Sequence, residues 1–523
     1  MSCNRGRSSL QASHNECSEG ALHSSQDAGR NALNIRVLSI KTCLFVTVGD
    51  DNGYTGRGEI FFLCYYSIAL TQEWSVHMFA NQTKSVFLLE DLNMKVVKNF
   101  VNHIFLTLFL LVSATVVWAG PVNYFSAVDM MENEVILINA DTDAIIQAPL
   151  NTLKGWPGGR PQHTVISSDG AALYISTDAS ESAPASVVIL SAKKYNWEAG
   201  SVKLKIKKVL TAEAAGTAST FSVPTQVNPL QPVASWTQPP MTQMHGPSIL
   251  PGSKYLYFTQ WTDNKIRVVN TTNKKFAKDA DPVVVNGVTD QTHGVFFNES
   301  GTLALGTGYY YDNGNIDLFS VDRKSGDLDY IESIRLGDSS AYAAFTHYNT
   351  WLDDRYAVTA TMQFGPTSLT PAGVDIIPPS VWLIDTQEGS AEKILDMTNF
   401  VDGEGVLRSP SDINVGNGKL ILAEEDSLDD SFGDDGFISI FDFSDRHNPV
   451  LIKRLQPGVE LPDDFAVSHS ISVTPDERFA FVVSYASAYI LKLDLQTNSV
   501  AKVYGPEDGL TMPHGGYVSG GYR

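Results

Sequence analysis

Gln243-Met244-His245-Gly246-Pro247-Ser248-Ile249, then Leu250-Pro251-Gly252-Ser253, then Lys254-Tyr255-Leu256-Tyr257-Phe258-Thr259 reads as a histidine, a short apolar strand, a tight turn and an alternating strand. Pro and Gly punctuate the turn, and alternation over Lys254–Thr259 has the period of two expected of a half-buried strand. The unit recurs. Copies start at His163, His293, His347, Asp412 and His469, and a last one at His514 runs to the C-terminus.

A second marker recurs with it, an apolar strand running into an Asp- or Asn-rich turn. It appears as Val135-Ile136-Leu137-Ile138-Asn139 and as Val187-Val188-Ile189-Leu190-Ser191. It returns as Ile266-Arg267-Val268-Val269-Asn270 and in strands closing on Asp322, Asp385, Asp442 and Asp494. Each marker occurs seven times, and four short strands per repeat is the signature of a propeller blade.

The ends of this region complement each other. The C-terminal copy supplies an inner strand without partners, whereas Val122–Val128, Glu134–Asn139 and Ala144–Leu150 are three strands without an inner one. Joined, they complete a blade and remove two open sheet edges. The expectation is all-β: a seven-bladed β-propeller over 120–523, closed by N- and C-terminal strands sharing one blade. Uneven spacing places long loops at Thr211–Pro240, Met362–Pro379 and Glu424–Gly436.

The blade turns Asp494-Leu495-Gln496-Thr497-Asn498-Ser499-Val500 and Thr474-Pro475-Asp476-Glu477-Arg478-Phe479-Ala480-Phe481-Val482 resemble those of the YVTN/YncE-like propellers. That resemblance covers most of 120–523 and implies a fold, not an activity.

Ahead of the repeats, Lys95 and Lys98 precede an apolar run from Ile104 to Trp118, and Val117 and Ala119 stand at the −3 and −1 positions before Gly120. This is the pattern of a signal peptide over 94–119. A membrane-spanning helix is the alternative, although the run is shorter than the roughly 20 apolar residues a span requires. The expectation is export to the periplasm or beyond, with no span left after cleavage. Residues 1–93 read as a misassigned or disordered leader, or else as a genuine extension.

The 523 residues carry 37 Lys+Arg against 58 Asp+Glu, a formal charge of −21, which excludes the basic face a nucleic-acid partner requires. Cys3, Cys17, Cys43 and Cys64 are the four cysteines. The repeat region therefore has no disulfide framework, thiolate metal site or cysteine nucleophile. No nucleophile elbow, P-loop or haem-attachment motif is present.

Histidine is the residue that asks for a function. Of seven histidines beyond 120, six (His163, His245, His293, His347, His469 and His514) are expected just before the innermost strand of a blade, with Asp412 in the seventh. His447 lies in the turn Asp445-Arg446-His447-Asn448-Pro449. Inner strands surround the axis of a propeller, so equivalent residues form a ring at the channel mouth. One histidine there is readily a strand cap. Six together read as metal ligands, with Asp412 as a carboxylate ligand, and imidazole donors suit copper or zinc.

The histidine set is similar to the copper propellers of nitrous oxide reductase and thiocyanate dehydrogenase, in which blade-by-blade histidines hold a multinuclear copper cluster. No Cys-His-Met copper domain accompanies it, which separates the chain from nitrous oxide reductase. The resemblance implies a copper oxidoreductase acting on a small inorganic or sulfur- or nitrogen-containing substrate, with an external electron carrier. A non-catalytic zinc- or copper-binding protein and a ligand- or protein-binding propeller are the other readings. Lys154, on the approach to His163, and Glu424, with Glu425 beside it, are the candidate catalytic residues, for anion binding and acid–base work.

Overall fold

The turns that end each blade's third strand show how the repeat is built. Asn139, Asn270, Asp322, Asp385, Asp442 and Asp494 each turn a side-chain oxygen back onto the backbone N–H two residues on, at 2.8–3.1 Å. This local bond replaces the ladder partner lost at the strand end and reverses the chain. The copy ending at Ser191 differs. That strand continues to Asn196, whose side chain accepts from Ala199 N at 3.1 Å.

The computed structural model describes residues 43–47, 60–64, 122–180, 182–213, 244–260, 265–277, 283–284, 292–308, 315–337, 341–343, 346–362, 375–400, 408–427, 436–484 and 486–520. The chain divides into two compact units, Met1–Phe109 and Leu110–Arg523. In the first, Cys43–Thr47 and Ile60–Cys64 form an antiparallel hairpin. The signal-peptide reading over 94–119 lies outside the described residues.

The second unit is a seven-bladed propeller. Blade 1 orders Pro513–Val518, Tyr124–Asp129, Glu134–Asn139 and Ile145–Pro149 from the axis outward, and blade 2 orders Pro161–Ile166, Ala172–Thr177, Ala185–Asn196 and Ser201–Glu213. The inner strands of blades 3 to 7 are Met244–Ile249, Thr292–Phe297, Thr346–Trp351, Arg408–Gly416 and Ser468–Val473. Each is followed outward by three antiparallel strands; in blade 3 a further short strand, Val283–Val284, also pairs with the third. A parallel pair, Ala341–Ala343 with Asp375–Ile377, lies apart from the blades. Helix among the described residues is limited to the 3-10 turns Met397–Asn399 and Pro506–Asp508, and no helix there is long and apolar enough to cross a membrane.

All six residues of the inner strands in blades 1, 2, 4, 5 and 7 are buried. A strand covered on both faces carries no alternation, which is why these segments read as short runs. Outer strands such as Val450–Leu455 are largely exposed. Apolar side chains between blades make the core, as where Phe125 of blade 1 stacks on Phe481 of blade 7 with centroids 4.5 Å apart. At the far ends of the inner strands the axis opens on a cavity of about 1100 Å³, lined in part by Asp169, Trp351, Asp353 and Glu477.

The shared blade is present as expected, with shifted bounds: its N-terminal strands are Tyr124–Asp129 and Ile145–Pro149 rather than Val122–Val128 and Ala144–Leu150. Two loops expected from spacing begin later than expected. Ladder bonds carry Ser201–Glu213 past Thr211 and Lys419–Ser427 past Glu424; residues 214–243 and 428–435 lie outside the described residues.

Deleting residues 513–523 would expose the edge of Tyr124–Asp129 and open the circle. The truncated chain is expected to lose its cooperative thermal transition and to aggregate in size-exclusion chromatography. A sharp transition within a few degrees of the full chain's would show that closure is dispensable.

Candidate metal centre

Each histidine lies within an inner strand, not just before it as the spacing suggests. His245, His293, His347, His469 and His514 are the second residue of their strands, and His163 is the third. The reason is a β-bulge. The ladder slips between Pro161 and His163, His245 and Ser248, Thr292 and Gly294, Thr346 and Asn349, and Ser468 and Ser470; facing His514 it slips between Ser126 and Val128. A bulge inserts an unpaired residue and re-aims its side chain. Glycine follows two of these histidines where the bulge needs it. Gly246 and Gly515 have φ of +50° and +53°, and a Cβ on Gly515 would come within 2.4 Å of His163 Nδ1.

The bulges bring six imidazoles into one closed ring. Centroid separations run His163–His245 4.7 Å, His245–His293 4.7 Å, His293–His347 4.2 Å, His347–His469 5.0 Å, His469–His514 4.9 Å and His514–His163 4.8 Å. None is more than 8% exposed. Asp412, on blade 6 between His347 and His469, is buried but turned to the backbone. Its oxygens accept from Ile413 N at 2.7 Å and Ile471 N at 2.6 Å.

Burial governs the charge of the ring. Desolvation, followed by repulsion from neighbouring imidazoles, holds His163, His245, His347 and His514 well below the usual histidine value of 6.5; His293 is brought to about 3. These five are neutral at pH 7 and carry one lone pair each. Two have a defined tautomer, because Nδ1–H of His347 donates to Ser411 O at 3.0 Å and Nδ1–H of His514 donates to Gln162 O at 2.8 Å. Nδ1 of His469 faces Glu425 Oε2 at 3.1 Å. Backbone carbonyls and carboxylates are the outer partners that orient metal-binding imidazoles. Two neighbouring pairs stand edge to face, three are tilted and His469 stacks on His514 at 24°, and among the described residues no group of three or more His, Cys, Asp or Glu side chains surrounds a common point.

The other predicted residues separate. Lys154 is exposed on the segment between blades 1 and 2. Glu424 is buried away from the ring, paired with Arg454 and accepting from Ser439 Oγ. Arg454 also donates to Phe400 O at 2.7 Å and lies over the Phe437 ring. Glu425, next along the strand, is the carboxylate that meets the ring. His447 is exposed beside Glu392.

Sequence reasoning passed over three residues near the ring. Tyr517 places its hydroxyl 3.4 Å from His163 Nδ1 and 3.3 Å from the Tyr348 hydroxyl. Asp178, after the second strand of blade 2, pairs with Arg160 at 3.1 Å and accepts from Gln162; burial raises its carboxyl to about 6. The available signal was proximity, since Tyr348 adjoins His347, Tyr517 follows His514 by three residues and Gln162 precedes His163.

No protein-family profile matches the sequence, and no curated protein matches it. Solved structures share its architecture. A protein of unknown function from Desulfotomaculum acetoxidans aligns with a TM-score of 0.50 and 13% identity, over 76% of this chain and 99% of its own. The periplasmic gluconolactonase PpgL of Pseudomonas aeruginosa aligns with a TM-score of 0.50 and 10% identity over the same shares. At such identities the likeness is one of fold.

Two outcomes follow from burial. An imidazole whose folded pKa lies below its unfolded value binds its proton first in the unfolded chain, so stability is full above pH 6.5 and falls on acidification. Each of the five neutral histidines contributes to that loss as the pH falls below 6.5. The metal-free protein should therefore lose denaturant resistance steeply from pH 6.5 toward about 3, the folded value of His293; a flat profile would contradict the assigned neutrality. Arg454→Leu, which takes the guanidinium away from the buried Glu424 carboxylate, should cost about 3–5 kcal/mol in denaturant unfolding. Adding Glu424→Gln should recover most of it.

Proposed function

We propose that this chain is an exported metal-binding propeller that holds copper in the histidine ring and oxidises a small inorganic or sulfur- or nitrogen-containing compound. The observation that carries this reading is the closed ring of six buried imidazoles, one from each of six blades, five of them held neutral. A nitrogen-only donor set without thiolates suits copper and zinc, and it withstands an oxidising compartment, where free cysteines would not. The leader-like segment at 94–119 supports export.

His245, His293, His347, His469 and His514 are the ligand candidates, together with His163 as the sixth ring member. Six imidazoles exceed the four positions of one tetrahedral ion, which favours more than one ion or a division of labour. Bound copper would supply Lewis-acid and one-electron chemistry, with an external carrier taking the electrons. The protein's own groups do the rest. Carbonyls of Ser411 and Gln162 hold His347 and His514 in the tautomer whose Nε2 carries the lone pair. Glu425, rather than the expected Glu424, is the carboxylate that faces Nδ1 of His469, and it would orient that imidazole as an outer partner. Lys154 and Arg160, on the segment leading to His163, are positive charges on the approach for an anionic substrate. Zinc is the alternative metal, in a protein that binds without turning over.

Metal analysis of the purified chain after reconstitution with Cu(II) should find at least one tightly held ion and a visible absorption band. Replacing His347, His469 and His514 together by alanine should remove both. Equal copper in wild type and triple variant would defeat the reading. Tight zinc with no redox response would favour the zinc-binding alternative.

A further inference from the structure

His163 has both ring nitrogens engaged by side chains. Nε2 lies 2.8 Å from His245 Nδ1, and Nδ1 lies 3.4 Å from the Tyr517 hydroxyl, which is 3.3 Å from that of Tyr348. All four residues are buried. The His163 ring is also pinned: it stands edge to face with His245 at 62° and His514 at 72°, and the backbone of Gly515 packs where a Cβ would reach Nδ1 at 2.4 Å.

This row of hydrogen bonds runs in one of two senses. In the first, Tyr517 O–H donates to His163 Nδ1 and His163 Nε2–H donates to His245 Nδ1, so the proton of neutral His245 is on Nε2. In the second, every link reverses. His245 Nδ1–H donates to His163 Nε2, His163 Nδ1–H donates to the Tyr517 oxygen, and Tyr517 O–H donates to Tyr348. His245 then carries its lone pair on Nε2, the same tautomer that the carbonyls impose on His347 and His514. A neutral imidazole cannot donate and ligate through one nitrogen, so a metal on His245 Nε2 selects the second sense through the whole row.

We propose that the six imidazoles have two roles: His163 is not a ligand but a positioning residue, and with Tyr517 and Tyr348 it sets the tautomer of His245. This rests on the metal-centre reading above and divides its ligand set. His163 does for His245 what Ser411 O does for His347 and Gln162 O for His514. The tyrosines extend the row so that its polarity can turn over as a unit.

The experiment uses the full chain, as Tyr517→Phe, His163→Gln and His245→Gln, with two readouts. In metal-free protein labelled with ¹⁵N-histidine, Tyr517→Phe should shift the ring nitrogens of His163 and His245 together while His347 and His514 stay in place. In copper titrations, Tyr517→Phe and His163→Gln should keep the wild-type number of ions with affinity lowered about 10- to 100-fold, the usual effect of losing an outer-shell partner. His245→Gln should lose an ion. An ion lost from His163→Gln overturns the proposal, as do unmoved His245 nitrogens in Tyr517→Phe. A wild-type chain that takes up neither copper nor zinc overturns the metal reading and the ligand division with it, whereas the metal-free spectra judge the hydrogen-bonded row independently.

Discussion

Closure of the propeller is the constraint on which everything else depends. Pro513–Val518 pairs with Tyr124–Asp129 across nearly the whole length of the propeller, so no blade is left with an open inner edge. The same strand delivers His514 between His469 and His163 and Tyr517 beside His163. Without it the ring would be an open arc of five, and the row from Tyr348 to His245 would be cut at its middle. Fold closure and site assembly are therefore one event, and lasting damage to blade 1 damages both.

Much of this was legible because a propeller repeats. Seven copies of two markers, with three strands of a blade at one end and one at the other, leave little choice of architecture, and the Asp/Asn turns found at Asn139, Asp322 and Asp494 are the local chemistry their sequences suggest. Copper-propeller likeness and the YVTN-type turns remain readings of sequence; the structural comparisons speak to the fold alone.

The remainder was hidden by parity. Successive residues on a strand face opposite ways, and a bulge resets the count without any mark in apolar periodicity. So the spacing put the histidines before their strands, although they sit inside them. Glu424 and Glu425 show the same ambiguity at one step. Read as a pair, either could face the axis. The fold turns Glu424 to Ser439 and Arg454 and gives Glu425 to His469. Asp412 lies inside the strand Arg408–Gly416 rather than just before it, and its side chain ties blade 6 to blade 7 through Ile471 N, a bond no spacing argument sees.

The ring itself argues for a use. Six imidazoles taken out of water lose hydration, and that desolvation, with repulsion among them second, keeps most of them from charging. Aliphatic side chains would fill the same channel mouth without that cost. Glycines at positive φ and a bulge in each histidine blade are further departures from an ideal strand. Such departures, repeated in six blades and gathered in one ring, are what sequences carry where function competes with stability. The same reasoning separates ring members. An imidazole anchored on a carbonyl presents a defined lone pair, whereas His163, held between His245 and Tyr517, transmits orientation. Position in the repeat alone does not distinguish these roles; hydrogen bonding does.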